Sequence, residues 1–266
     1  MRFRSQASGM TLTTATAGPT PAGPATADPA DPADRLPGGV VLPAPVAPLL
    51  RRIAAARADD LTANVFSTVD VLWVLYDRIL RISPATLDDP ERDRFLLSKG
   101  HAVAGYYAVL AAQGYFPPEW LDDPHSPTSR LGGHPDRTLV PGVEIGSGSL
   151  GHGLGLGVGA ALGLRAQGLL TPRTYVLVGD AELDEGSNHE AIAYAGATGL
   201  AGLTAIVVDN SSATHGWPGG IAARFTVNGW TAVTVDGRDH DALHTALTGH
   251  DHHRPHLVVA VVDQEA

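Results

Sequence analysis

Two kinds of hydrophobic pattern alternate along the chain after about residue 46. Helical spacing predicts helices over about 49–57 and 67–82, and in the second one Val69, Leu72 and Tyr76 share a face before Pro84 ends it. Short apolar runs predict strands, with a short helix over 241–247 between the last two; these runs lie at 95–97, 176–178, 205–208, 231–235 and 256–262. Such short runs indicate an α/β fold, a parallel sheet with helices on both faces.

The segment from Tyr175 to Asn210 makes the most specific prediction. Its first apolar run ends in Gly179-Asp180, a helical stretch follows, and its second run ends in Asp209-Asn210. A strand, a crossover helix and a second strand form a right-handed βαβ unit, so both strands end at the same edge of the sheet. Because α/β folds bind their ligands at that edge, we expect Asp180 and Asn210 to lie close together there.

The chemistry of this pair favours a hard cation. A carboxylate, an amide oxygen and a backbone carbonyl suit an octahedral Mg²⁺ that also takes phosphate oxygens. The alternative is that Asp180 and Asn210 merely end their strands, since both residue types are common in turns.

Another turn with candidate chemistry follows the run at 95–97. Residues 98–101, Ser-Lys-Gly-His, lead from that strand into a helix. Backbone N–H groups and His101 could meet a phosphate at such a turn, although a lone histidine there is more often a cap or a buried hydrogen-bond donor.

The crossover helix has a recognisable start. Ser187 and Glu190 have the spacing of a capping box, so Glu190 is expected to be structural. Glu185 precedes this cap, near the ligand edge, and is the better candidate for chemistry. The histidine cluster at 250–256 lies in a predicted surface loop and is interpreted as solvated, with metal binding as a minor alternative.

A glycine-rich stretch from Gly148 to Gly159 allows two interpretations. A phosphate loop of the dinucleotide-binding type needs the spacing G-x-G-x-x-G, whereas these glycines largely alternate with single residues. We favour the second interpretation, in which small residues let a helix approach a neighbouring helix or a cofactor ring closely.

Composition narrows the class of protein. A formal net charge of −10 argues against nucleic acid as a partner, and the absence of cysteine excludes disulfides and thiol catalysis. No apolar run has membrane-spanning length, and no signal-peptide pattern is present, so a cytoplasmic location is expected. Residues 1–45 are rich in Ala, Pro and Thr and are predicted to be a disordered leader, followed by one domain over 46–266.

Four segments together resemble the N-terminal, diphosphate-binding half of transketolase; they lie at 92–115, 133–163, 179–210 and 224–237. The third contains Gly179-Asp180-Ala181 and, after 27 further residues, Asp209-Asn210. This arrangement resembles the family's thiamine diphosphate signature, Gly-Asp-Gly followed by Asn-Asn. The resemblance implies the thiamine diphosphate-binding fold, with thiamine diphosphate and Mg²⁺ as cofactors.

The resemblance also implies a partner. Whole transketolases carry a pyrimidine-binding domain and a further C-terminal domain, and this chain ends at Ala266 before either. It therefore resembles the small subunit of a two-component transketolase, expected as α₂β₂ with a pyrimidine-domain subunit. The implied reaction transfers a two-carbon ketol unit from a ketose-type donor to an aldehyde-type acceptor.

Individual residues match the family's functional positions. Asp180 and Asn210 match the Mg²⁺ ligands, with the carbonyl of Ser212 as the third. The catalytic positions implied are a histidine at the diphosphate, a histidine that contacts substrate, and a glutamate that couples the cofactor sites through the dimer interface; they are His101, His134 and Glu185. The cofactor-binding positions implied are His101, Gly148, Ser149, Leu150, Gly179, Asp180, Ala181, Glu182 and Asn210.

Several positions depart from the family. A substrate-site histidine is replaced by Leu61, the second glycine of the signature by Ala181, a glutamine by His152, and an aspartate before the metal ligand by Val208. The metal frame is thus better preserved than the sugar site, which implies an unusual donor or acceptor in specialised biosynthesis. A catalytically degenerate scaffold subunit, and a 2-oxo acid dehydrogenase E1α-like component, remain the alternatives. A deoxyxylulose-phosphate synthase would need a longer chain.

Overall fold

A computed structural model of the protein describes residues 42–57 and 61–262. Most of the predicted leader lies outside these residues. Its last residues do not: Leu42 and Pro43 are buried, and Leu42 joins the hydrophobic core. The folded unit therefore extends at least four residues upstream of the boundary predicted at residue 46.

Five parallel strands form one sheet in the order β1-β2-β3-β5-β4. The strands are β1 Arg94–Leu97, β2 Thr174–Gly179, β3 Leu203–Asp209, β4 Thr231–Asp236 and β5 His256–Val261. The helices are α1 Ala47–Ala56, α2 Ala63–Val74, α3 Val103–Ala112, α4 His152–Ala166, α5 Gly186–Ala197, α6 Gly220–Thr226 and α7 His240–Thr248. All five predicted strands and the parallel sheet are confirmed. None of the described helices has the length and apolar character needed to cross a membrane.

Side chains along each strand alternate between two hydrophobic cores. Phe95 and Leu97 of β1 face the core shared with α1, α2, α3 and α7, while Leu96 faces the core shared with α4, α5 and α6. The same alternation runs through β2, β3 and β5. Helices therefore cover both faces, as predicted, because strands buried on two sides must present apolar groups to each.

The second helix differs from its prediction. It begins at Ala63, four residues before Ser67, and after a π-helical turn over Leu75–Ile79 the chain becomes extended at Leu80. Most of its side chains are buried, including Val71 on the side away from the predicted apolar face. A one-sided pattern was too narrow a prediction, because α2 packs between α3 and α7.

Candidate functional site

The ends of β2 and β3 meet at the carboxyl edge of the sheet, as predicted. Gly179 is paired with Val208, and the amide of Asp180 donates to the Val208 carbonyl at 3.1 Å. Asp180 and Asn210 each follow their strand directly, and both are buried. The crossover between the strands contains α5, which confirms the predicted βαβ unit.

The Asp180 carboxylate binds the loop that follows β3. Ser212 donates its amide to Oδ2 at 2.6 Å and its hydroxyl to Oδ1 at 2.6 Å, and the Ala213 amide donates to Oδ2 at 3.0 Å. Ser212 is therefore brought to Asp180, as predicted for the metal site, but it contacts Asp180 through hydrogen-bond donors. The expectation that its carbonyl is a metal ligand stays a prediction.

Asn210 supplies the observation that best fits a cation. Its Oδ1 atom is buried and has no hydrogen-bond partner within the described part of the chain. An unpaired buried acceptor costs free energy, so such atoms call for an explanation such as an ion. A carboxylate and an amide oxygen at one sheet edge suit Mg²⁺, and the donor set therefore fits the ion.

Glu182 occupies the interior behind this edge. Its carboxylate accepts hydrogen bonds from the Ser98 hydroxyl, from the Gly151 amide at 2.9 Å and from the Gly179 amide at 3.2 Å. Desolvation raises the pKa of Glu182, while these donors and the charge of Lys99 act in the opposite direction. The carboxylate is thus buried on protein partners, and the expected cofactor contact at Glu182 stays a prediction.

Lys99 is a member of the site that sequence reasoning did not assign. It is the sole lysine of the chain, its side chain is buried, and it packs along Gly179. Desolvation lowers the pKa of Lys99, and the negative charges of Asp180 and Glu182 raise it. Nothing in the sequence shows that this turn is buried beside two carboxylates.

The turn after β1 meets the loop that carries His134. A Cβ atom at Gly100 would lie 2.9 Å from Cδ2 of His134 and 3.2 Å from the Gly148 amide nitrogen. The Tyr107 hydroxyl donates to the carbonyl of His134 at 3.1 Å and so holds this loop from below. Glycine at position 100 is thus required by the close approach of three segments.

His101 and His134 are both exposed at this junction. Partial desolvation of the ring lowers the pKa of His101, and the charges of Lys99 and His134 act in the same direction. A neutral imidazole at neutral pH can accept or donate a proton, which is the property that general acid–base catalysis requires.

The predicted cofactor positions 148–150 are accessible. Gly148, Ser149 and Leu150 are exposed, and Gly148 has a φ of 148°, which favours glycine. Glu185 is also exposed, at the N-cap of α5, and its Cβ would be 2.7 Å from a Cβ at Gly151. The structure thus places Glu185 beside the start of α4.

The predicted capping box is wrong. Ser187 lies inside α5, which has Glu185 at its N-cap and no side-chain cap, and its hydroxyl donates to the Gly151 carbonyl at 2.9 Å. Tertiary contact with the start of α4 takes the place of the local cap. Glu190 is exposed on α5.

The glycine-rich stretch leads into α4 at residues 148–151 and then forms its first half, which supports the close-approach interpretation. A Cβ at Gly153 would lie 2.2 Å from the Ser98 Cβ, and a Cβ at Gly157 would lie 2.2 Å from a Val176 methyl group. The amides of Gly151 and Gly153 bind Glu182 and Ser98. Because these protein groups occupy the helix start, it does not form a dinucleotide phosphate loop.

The departures from the resemblance have structural consequences. Leu61 is partly buried and packs on the core, so it brings no polar group to the site. Ala181 does not have a positive φ angle, so a side chain is tolerated at this position. In the 250–256 cluster, His256 is buried and bonded to Thr231 and Ala246. No three His, Cys, Asp or Glu side chains within 42–57 and 61–262 gather as a metal site.

Comparison with known sequences gives a family match. Residues 62–262 match the family described as "Transketolase, thiamine diphosphate binding domain". The chain is 54% identical over 200 residues to "Ferredoxin fas2" of Rhodococcoides fascians, covering 75% of this chain and 66% of that protein.

Two similar proteins are named as subunits of transketolases. The chain is 45% identical over 138 residues to an apulose-4-phosphate transketolase subunit of Actinobacillus succinogenes, covering 52% of this chain and 50% of the relative. It is 37% identical over 188 residues to "6-deoxy-6-sulfo-D-fructose transketolase subunit SqwG" of Clostridium sp. strain MSTE9, covering 68% of each. The alignments thus span between half and about two thirds of these relatives.

Solved structures show the same fold. A transketolase variant from Pichia stipitis, in complex with fructose 6-phosphate, has a TM-score of 0.70 and 30% identity. The match covers 82% of this chain and 35% of that one.

Proposed function

The chain belongs to the transketolase family, through its thiamine diphosphate-binding domain at residues 62–262, and on that basis we propose that it is the cofactor-binding subunit of a two-component transketolase. The names of similar proteins support the division into subunits. The reaction proposed is transfer of a two-carbon ketol unit from a ketose-type donor to an aldehyde-type acceptor.

The unpartnered Oδ1 of Asn210, at the same sheet edge as Asp180, carries the proposal. We propose that Asp180, Asn210 and the carbonyl of Ser212 hold Mg²⁺, which in turn binds the diphosphate. His101 lies at the neighbouring turn, where it would contact the diphosphate.

Bound thiamine diphosphate would supply the carbanion chemistry of ketol transfer. The chain's own groups would bind and orient: Gly148, Ser149 and Leu150 line the pyrimidine side, and the exposed His134 reaches the substrate. His101, with its lowered pKa, is neutral at physiological pH and can accept or release a proton.

A separate subunit with a pyrimidine-binding domain would complete the site. Glu185, exposed at the start of α5, is proposed to couple the cofactor sites across the interface. We propose an α₂β₂ assembly for this pair. The cytoplasmic location expected from the sequence stays a prediction.

The substrate is proposed to be unusual. The polar side chain that the family places at one substrate position is replaced by Leu61, which packs on the core. Two relatives are named for substrates other than common sugar phosphates, which supports a role in specialised metabolism. A redox role is not proposed despite the name of one relative, because thiolates hold iron–sulfur clusters and this chain has no cysteine.

Co-expression with the product of the neighbouring reading frame tests the proposal. The mixed subunits should bind thiamine diphosphate only with Mg²⁺, by calorimetry, and Asp180→Ala should abolish binding without dissociating the subunits. A donor screen should then detect the shortened aldehyde, with xylulose 5-phosphate as the reference. Ordinary turnover of xylulose 5-phosphate would contradict the unusual substrate.

The replacement at Leu61 also favours a second candidate, a degenerate scaffold that stabilises its partner. The family match makes an E1α-like component the weaker alternative. Binding of thiamine diphosphate by neither the wild type nor Asp180→Ala, with the subunits still associated, would support the scaffold.

A further inference from the structure

The loop from residue 211 to residue 219 connects β3 to α6 over the candidate site. Every residue of this loop is exposed. Within the part of the chain that the structure describes, Ser212 and Ala213 make the tertiary hydrogen bonds of this loop, and both donate to the Asp180 carboxylate. At its other end, Trp217 contacts two side chains, of Arg224 and His189.

Arg224 connects three segments around this loop. Its guanidinium carbon lies 4.7 Å from the centre of the Trp217 ring. Its Nη2 donates to the Leu183 carbonyl at 2.5 Å and to Nε2 of His189 at 2.7 Å. Leu183 belongs to the turn that follows Asp180, and His189 lies in the first turns of α5. The His189 ring also lies 5.3 Å from that of Trp217.

Arg224 is a buried cation, and its burial costs free energy that its contacts must offset. The residue is only 4% exposed, and its Nε has no hydrogen-bond partner among the described residues. Within the same part of the chain, no carboxylate forms an ion pair with it. Desolvation lowers the pKa of Arg224 and the charge of Asp184 raises it, while a ring face, a carbonyl and an imidazole nitrogen contact the guanidinium directly.

The chain geometry brings these groups together. Gly219 and Gly220 have φ of 82° and 81°, and the Gly220 amide donates to the Trp217 carbonyl at 2.8 Å. This turn lets the chain pass directly from Trp217 into α6, so that Arg224 points back under the ring. Residues with side chains rarely adopt such φ angles.

We infer that Arg224, Trp217 and His189 form a clamp that positions the 211–219 loop, and with it Ser212, against Asp180. They are positioning residues, since none of them contacts Asp180. The inference rests on the proposed function for its significance, because Asp180 and Ser212 are the proposed metal site. The contacts themselves exist independently of any cofactor.

Amide hydrogen exchange of the full chain, without cofactor, tests the clamp directly. In the wild type, the Ser212 and Ala213 amides should be protected because both donate to Asp180. Trp217→Ala should reduce this protection roughly tenfold, within the five- to thirty-fold expected for losing contacts of this strength. Trp217→Phe keeps a ring over Arg224 and should restore most of it.

A matched control separates the clamp from a general loss of stability. Tyr194 is an exposed aromatic side chain on α5 outside the clamp, and Tyr194→Ala should leave protection at 212–213 unchanged. Arg224→Gln should act like Trp217→Ala, with the exchange of β2 and β3 amides reporting whether the fold persists.

Unchanged protection at 212–213 in Trp217→Ala would overturn the inference. Equal loss in Trp217→Ala, Trp217→Phe and Tyr194→Ala would also overturn it, because the effect would then not depend on the ring over Arg224. Failure of the mixed subunits to bind thiamine diphosphate would instead overturn the proposed function and leave the exchange result intact.

Discussion

The Ser98 hydroxyl donates a hydrogen bond to the Glu182 carboxylate in the interior, joining the end of β1 to the turn after β2. The same hydroxyl accepts from the Gly153 amide at 3.0 Å, and Glu182 accepts from the Gly151 amide. Two buried side chains therefore fix the start of α4 relative to two strand ends. This network of hydrogen bonds lies directly behind the sheet edge that carries Asp180.

Glu182→Gln tests how much stability the network contributes. The carboxylate accepts from three donors, and an amide would turn one oxygen into a donor that faces them. We expect a loss of about 1.5–3 kcal/mol in the free energy of unfolding, the range for hydrogen bonds to a charged group. Urea denaturation measures it. The exposed Glu190→Gln is the control and should change stability by less than about 0.5 kcal/mol. Similar midpoints for the two variants would show that the network is dispensable.

The distance along the chain explains why this network was not predicted. Ser98 and Glu182 are 84 residues apart, and the sequence around each residue gives no indication that it contacts the other. The crossover from β2 to β3 was predictable, because one short segment contains both apolar runs, the polar residues that end them and the helical stretch between them. Asp180 and Asn210 followed from it, since strand ends at one edge require no further information.

Local rules failed where tertiary contacts replaced them. Ser187 has the sequence spacing of a cap, but its hydroxyl binds Gly151 across the interface of α4 and α5. The start of α2 was missed by four residues because its burial on most sides removes the one-sided pattern. Lys99 was overlooked since nothing in the sequence shows that its turn is buried.

Truncation of two buried asparagines should affect stability to different extents. Asn210→Ala removes an acceptor that has no partner within the described residues, so the unfolding free energy should change little. Asn188→Ala removes a donor that binds the Glu182 carbonyl at 2.6 Å and should cost about 1–3 kcal/mol. Thermal or urea unfolding compares them.

Although Asn210→Ala should change stability little, it should have a large effect on cofactor binding. If Asn210 is a metal ligand, Asn210→Ala should weaken Mg²⁺-dependent binding of thiamine diphosphate by more than the roughly 10- to 100-fold typical of outer-shell partners. Wild-type affinity in Asn210→Ala, measured by calorimetry with the mixed subunits, would remove this residue from the metal site.

The glycines of α4 fall into two classes that substitution by alanine should separate. Gly157→Ala would place a methyl 2.2 Å from a Val176 methyl, so we expect destabilisation by about 1–3 kcal/mol from overpacking. Gly155 faces open space, and Gly155→Ala should stabilise the helix by about 0.5–1 kcal/mol. Unfolding of the isolated chain is the measurement. Equal effects of the two substitutions would mean that α4 does not pack on the sheet through Gly157.

The clamp should open in acid because of His189. Arg224 donates to Nε2, so that nitrogen must be unprotonated, and a second proton would set two cations together. Desolvation and Arg224 lower the pKa of His189, Asp184 raises it, and the Trp217 ring covers one side. A lowered folded-state pKa means that the contact is complete above the ordinary value of about 6.5 and is lost as the pH falls through the lowered pKa. Protection at 212–213, corrected for intrinsic exchange, should therefore fall in acid. In His189→Gln, whose side-chain oxygen can still accept from Arg224, it should not; an identical acid response in both proteins would assign the titration to another group.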